Sequence, residues 1–132
     1  HDVFGGSFEL AGYSLATPTV SPGGQAKITL YWRDVRPSGT RYTVFVHLVD
    51  SGGAMRGQHD SEPSGGAWPT TSWLPNQYVT DEYTVPVDAA ASHGPYHFEL
   101  GLYDPTTGAR LPVAGPQGQP LGDHVAIEGM AA

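Results

Sequence analysis

The chain has 132 residues, six Lys or Arg against thirteen Asp or Glu, a net charge of −7 and no cysteine. Such a length supports one domain with a sizeable core, and the missing cysteines exclude a disulfide scaffold, a zinc ribbon and a thiol nucleophile. The acidic balance argues against nucleic acid or an anionic membrane as partner, since both need a basic face, and no apolar run approaches the roughly 18 residues of a spanning helix.

Eighteen glycines and twelve prolines punctuate the chain, and between them the apolar residues alternate with a period of two. Residues 8–13 open the series, with Phe8 and Leu10 on one face. Residues 17–20 read as an edge segment, because Pro18 cannot donate to a ladder. In residues 25–33, Ile28, Leu30 and Trp32 point one way; Lys27, Thr29, Tyr31 and Arg33 point the other. That is a half-buried strand with one wet face. Residues 42–50 are apolar on both faces, with Tyr42, Val44, Val46 and Leu48 against Phe45, His47 and Val49. They predict a central strand covered on both sides, or partly covered by a loop. A Ser51-Gly52-Gly53 turn leads into a strand at 55–60.

Residues 61–77 form a turn-rich connection of about seventeen residues, a length typical of functional or mobile loops. Residues 78–87 alternate again, and Asp81 breaks their apolar face, which puts it near the strand start. Gly94-Pro95-Tyr96 sits where a tyrosine corner would, with the Tyr96 hydroxyl bonding back to loop backbone; the alternative is that Tyr96 is only a core aromatic. It leads into a strand at 95–104 with Tyr96, Phe98, Leu100 and Leu102 inward. Asp104-Pro105-Thr106-Thr107-Gly108 is a tight turn. Short strands at 109–113 and 124–128 finish the fold. These about seven to nine strands have no crossover helices. They predict one all-β domain over residues 1–132, with its core within 4–128. Its expected form is an antiparallel two-sheet β-sandwich, immunoglobulin- or fibronectin III-like.

Catalytic signatures are missing: there is no nucleophile elbow, no zinc-protease helix motif and no phosphate-binding glycine loop. His47, His59 and His97 could converge if their strands were neighbours, but no His-x-His or His-x-x-x-His spacing supports a metal site, and none is expected. Asp50 and Asp104 each open a turn, and an Asp there bonds its own backbone, so calcium is not required. No cofactor is implied.

The aromatic loop is the most suggestive feature. Trp68 and Trp73 are two of the three tryptophans and lie in the 61–77 connection, followed by Tyr78. Indoles on a loop either plug the open end of a sandwich or stack on sugar C–H faces. In the second case Asn76, Gln58 and Asp60 are the candidates to fix hydroxyls. The expected ligand-binding set is Trp68, Trp73, Tyr78, Asn76, Gln58 and Asp60. Trp32, in phase with Ile28 and Leu30, is expected in the core.

Several stretches together carry a resemblance: Phe4-Gly5-Gly6, Leu10-Ala11-Gly12-Tyr13, Leu30-Tyr31-Trp32, residues 42–48, Gln58-His59-Asp60, Trp68-Pro69-Thr70 with Trp73, and 101–112. Over residues 4–127 the chain resembles an all-β domain at the extracytoplasmic C-terminus of bacterial multi-pass membrane proteins of glycosyltransferase type. No catalytic residues come with that resemblance. It implies an accessory sandwich outside the membrane, next to sugar-processing machinery and the other domains of a parent protein. The His1-Asp2 start reads as a domain excised from a longer chain. The expected function is a non-catalytic, carbohydrate-interacting module that does not itself insert into the membrane. The alternative is a structural spacer or protein-docking domain with no small ligand.

Overall fold

A computed structural model describes residues 1–16, 21–91 and 95–130, without the side chains of Gly129 and Met130. The edge segment expected at 17–20, and Gly94 of the expected corner, lie outside the described residues; Tyr96 is buried in the core. The strands are β1 (Val3–Phe4), β2 (Phe8–Leu15), β3 (Gln25–Asp34), β4 (Thr43–Asp50), β5 (Met55–Ser61), β6 (Tyr78–Pro86), β7 (Tyr96–Tyr103), β8 (Val113–Ala114) and β9 (Val125–Met130). They form two antiparallel sheets, β6-β3-β2-β1-β8 and β5-β4-β7-β9, facing each other as a β-sandwich. Two short 3-10 turns, Pro63–Gly66 and Thr70–Ser72, lie between β5 and β6.

Alternation builds the core. Ile28, Leu30 and Trp32 of β3 and Val79, Tyr83 and Val85 of β6 meet Val44, Val46 and Leu48 of β4 and Phe98, Leu100 and Leu102 of β7. Each of these apolar side chains is worth about 1.5–3 kcal/mol when fully removed from water. The second face of β4 is also covered, as its composition predicts. Phe45 is buried there under the Arg110 guanidinium, 4.2 Å above its ring.

Besides β1, which the sequence reading does not contain, two elements differ from expectation. The first strand runs on to Leu15 because the β2–β3 register shifts between Leu10 and Gly12, with Ala11 as the extra residue. This bulge keeps Tyr13 opposite Leu30 and Leu15 opposite Ile28, on the inner face. The strand expected at 109–113 is reduced to a single bridge, Arg110 to Tyr103, before β8.

The two long sides of the sandwich are unlike. Where β5 meets β6, the sheets are stitched together. The His59 ring bonds Thr84 O at 3.0 Å, Tyr83 Oη donates to Ser61 O at 3.4 Å, and Asp88 N donates to Arg56 O at 2.7 Å. Gly57 sits so close that a Cβ would collide with the Pro86 carbonyl and the Val85 side chain. On the opposite side β2 and β9 flank an open cleft of about 550 Å³.

Candidate functional site

The 61–77 connection is built inward as much as outward. Trp73 is only 3% exposed. Its ring packs edge-on against Phe8 at 5.4 Å, and Phe8 packs against Tyr42 at 5.7 Å. Its indole N–H donates to Trp68 O at 2.9 Å. Trp73 is therefore the plug of the sandwich end and has no face to offer a ligand. Trp68, which supplies that carbonyl, is itself 43% exposed.

Asp81 holds the start of the loop. It is fully buried mid-strand in β6, not near the strand start. It accepts the Trp32 indole N–H at 3.2 Å and the Ser64 backbone N–H at 2.8 Å. Burial pushes its carboxyl pKa up, and these donors oppose the shift only in part. Ser64 takes a positive φ of 54°, a conformation that costs a non-glycine residue about 1 kcal/mol or more. Its hydroxyl donates to Thr80 O at 2.7 Å and helps hold it there. Further along, Thr70 Oγ1 donates to Thr40 O at 2.8 Å and accepts from Tyr42 N at 3.0 Å.

The loop ends in a Leu74-Pro75-Asn76-Gln77 turn. Pro75 sets φ for the turn, and Asn76 takes the positive φ of 63° that Asn tolerates best after Gly. Asn76 N donates to Asp34 O at 2.7 Å, which fixes the turn to the end of β3. The Asn76 side chain then reaches the outer face of the first sheet, where its Oδ1 accepts from Arg33 Nη1 at 2.7 Å. Arg33 Nε donates to Glu9 Oε1, also at 2.7 Å. The Glu9 hydrogen bond and charge raise the guanidinium pKa further above its already high value.

Arg33 lies between Glu9 of β2 and Tyr78 of β6 in the sheet register, and Tyr31 lies one row along, between Gly12 and Thr80. The Tyr31 ring lies over Gly12, 3.8 Å from where a Cβ would sit, and its hydroxyl is 3.1 Å from Ser14 Oγ. Tyr78 is 67% exposed and Tyr31 37%. Two diagonal tyrosines thus flank a guanidinium that is held from two sides. Tyr31, Arg33 and Glu9 were outside the expected set. Their outward phase in β2 and β3 is readable from alternation, but their cross-strand register is not.

Gln58 and Asp60 belong to β5, in the other sheet. Both are exposed, and Asp60 accepts from the Tyr103 hydroxyl at 3.2 Å. The six expected residues therefore separate: Trp73 is in the core, Trp68 on the loop, Tyr78 and Asn76 on the first sheet, and Gln58 and Asp60 on the second. The second sheet's outer face carries His–carboxylate contacts. Glu99 meets His97 at 2.9 Å, and Asp123 meets His124 at 2.9 Å. His47 lies 3.9 Å from Asp60, and burial lowers its pKa despite that carboxylate. His59 turns the other way, against Tyr83 at 5.2 Å, so the three histidines do not converge. Among the described residues no group of three or more His, Cys, Asp or Glu could hold a metal ion. Asp50 Oδ1 accepts from Gly52 N and Ala54 N, each at 2.9 Å, and Asp104 Oδ1 from Thr106 N at 2.9 Å. Both turns are thus held by their own backbone.

One buried group has no comparable support. Asp34, at the inner end of β3, is fully buried, and neither carboxylate oxygen has a hydrogen-bond partner. The Arg36 N–H, which donates to Ser7 O at 3.3 Å, offsets only part of the desolvation, so the Asp34 pKa is raised. No protein-family model matches the chain, and no curated protein matches it in sequence.

Proposed function

We propose that the chain is a non-catalytic accessory module of an extracytoplasmic bacterial protein and binds a glycan on the outer face of its first sheet. The observation that carries this reading is the pair of exposed tyrosines, Tyr31 and Tyr78, beside the Arg33 guanidinium tied to Glu9 and Asn76. Tyrosine combines a flat apolar face with a polar tip. Arg33 has five N–H donors and spends two on these bonds, so donors remain for sugar hydroxyls. Holding the guanidinium in advance lowers the ordering cost of binding. The order β2, β3, β6 against β5, β4, β7, β9 supports an immunoglobulin- or fibronectin III-like subtype. The paired His–carboxylate contacts on the second sheet fit a structural role rather than a catalytic one.

A glycan array followed by calorimetry tests the reading. The wild type should bind at least one glycan class, and Tyr78→Ala and Tyr31→Ala should each weaken that binding by about tenfold or more, roughly 1.4 kcal/mol. The melting temperature should barely move, since both side chains face solvent. Binding that survives both substitutions, or no binding across the array, would leave the spacer or docking alternative. The buried Trp73 already favours that alternative for the loop.

A further inference from the structure

The way Arg33 is held bears on which sugars its face can take. A sugar carboxylate is bound best by two parallel N–H bonds from one edge of a guanidinium. Arg33 has two such edges, one formed by Nε with an Nη nitrogen and one by the two Nη nitrogens. Glu9 Oε1 accepts from Nε at 2.7 Å, and Asn76 Oδ1 accepts from Nη1 at 2.7 Å. Neither edge therefore has both of its nitrogens uncommitted. What remains are single N–H donors, which suit the oxygen of a hydroxyl. The Glu9 side chain is only 15% exposed and that of Arg33 27%, so the pair is partly shielded from a competing anion. Arg33 also sits on an inner strand of its sheet, with β6 on one side and β2 on the other.

We infer that this face takes neutral glycans and that Glu9 is the residue that sets it against acidic ones; the inference rests on the glycan reading above. The local charge balance supports it. Arg33 is paired with Glu9 across β2 and β3. The other charged positions on this face of β3 and β6 are Lys27 and Glu82, opposite Thr84 and Thr29, and they cancel. The outward positions between them are Gly, Ser, Thr or Tyr. Two groups border the face. His1 Nδ1 lies 3.7 Å from the second Glu9 oxygen, and its imidazole is neutral at about pH 8. Arg36, beyond the end of β3, reaches over the β1–β2 turn, with Nη2 3.7 Å from where a Gly6 Cβ would sit. It adds one positive charge at the border, against −7 for the whole chain. A polyanionic glycan is therefore repelled at long range and finds no open guanidinium edge at short range.

The test is calorimetry at about pH 8 on the wild type, Glu9→Gln and Tyr78→Ala, each checked for folding by its melting curve. The probes are matched pairs: neutral oligosaccharides of glucose, xylose, mannose and galactose, and the same oligosaccharides carrying a uronic acid. The wild type should prefer the neutral member of its best pair by about tenfold or more, with an affinity that hardly responds to salt. Glutamine keeps an oxygen that can accept from Arg33 Nε but removes the charge. Glu9→Gln should therefore move the ratio of the two affinities about tenfold toward the uronic acid member and make that binding salt-sensitive. A wild type that prefers the acidic member overturns the inference, as does a Glu9→Gln variant with an unchanged ratio or with both affinities lost. The last result would make Glu9 a plain support for Arg33. Tyr78→Ala separates this inference from the reading beneath it. If the wild type binds neither member, or if Tyr78→Ala leaves both affinities intact, the glycan reading fails and the inference with it. Binding that is lost with Tyr78 but favours the acidic member overturns the inference alone.

Discussion

The two long sides of this sandwich are closed to different degrees. At the β5–β6 side, the 61–77 connection crosses between the sheets, Asp81 takes its first backbone donor, and Trp73 fills the end of the core. At the β2–β9 side residues 115–124 cross from β8 to β9, yet beside them Tyr13 stands half in water over apolar floor. Alternation in the strands is similar on both sides, so the difference lies in the connections. A long loop closes one seam by placing a large aromatic inward and giving every turn a hydrogen-bond partner. On the other side the bulge keeps Tyr13 in phase with the core but half exposed.

Substitutions can break this contrast. The largest effect belongs to Trp73→Ala. It should destabilise the fold by about 3–5 kcal/mol, as truncation of a buried tryptophan does, whereas Tyr13→Ala should cost about 1 kcal/mol. Chemical denaturation of both variants makes the comparison, and equal losses would mean that the seams are equally closed. Glycines give a finer version. Gly57→Ala forces a methyl into Pro86 and Val85 and should cost about 1–3 kcal/mol, while Gly12→Ala meets only the Tyr31 ring at contact distance and should stay within about 0.5 kcal/mol.

The smallest effect is a pH dependence near the loop's exit. Asp34 has a raised pKa in the folded chain, so its protonated form is the one the fold prefers. Its contribution is fully favourable below the unfolded pKa of about 3.9 and is lost as pH rises through the folded value. Asp34→Asn should therefore be more stable than wild type at pH 7, and the gap should close toward pH 4. Denaturation curves at the two pH values check the sign. A gap that widens on acidification would mean that the carboxylate is stabilised as an anion.

Much of the sandwich is legible in the sequence because half-buried strands write their burial as alternation. The faces of β3, β4, β6 and β7 are examples, including the doubly covered β4. Two-residue β1 is too short to leave a period. The bulge at Ala11 is also invisible, since one extra residue is defined only by its partner strand. Asp81 reads as a misfit because its partners, Trp32 and Ser64, are distant in sequence. For the same reason Trp73 could not be told from a ligand platform: Phe8 and Tyr42, which bury it, belong to other strands. The Tyr31, Arg33 and Tyr78 face was half legible. Their outward phase is local, but the register that groups them with Glu9 is not.

Residue-resolved amide hydrogen exchange is the most direct test of the unequal seams. The account predicts that amides anchoring the sealed side, those of Ser64, Trp68, Asn76 and Asp88, exchange nearly as slowly as the core of β3 and β7. The outward-facing amides of β9 should exchange far faster. Equal protection on both sides, or fast exchange at Ser64 and Asn76, would contradict it.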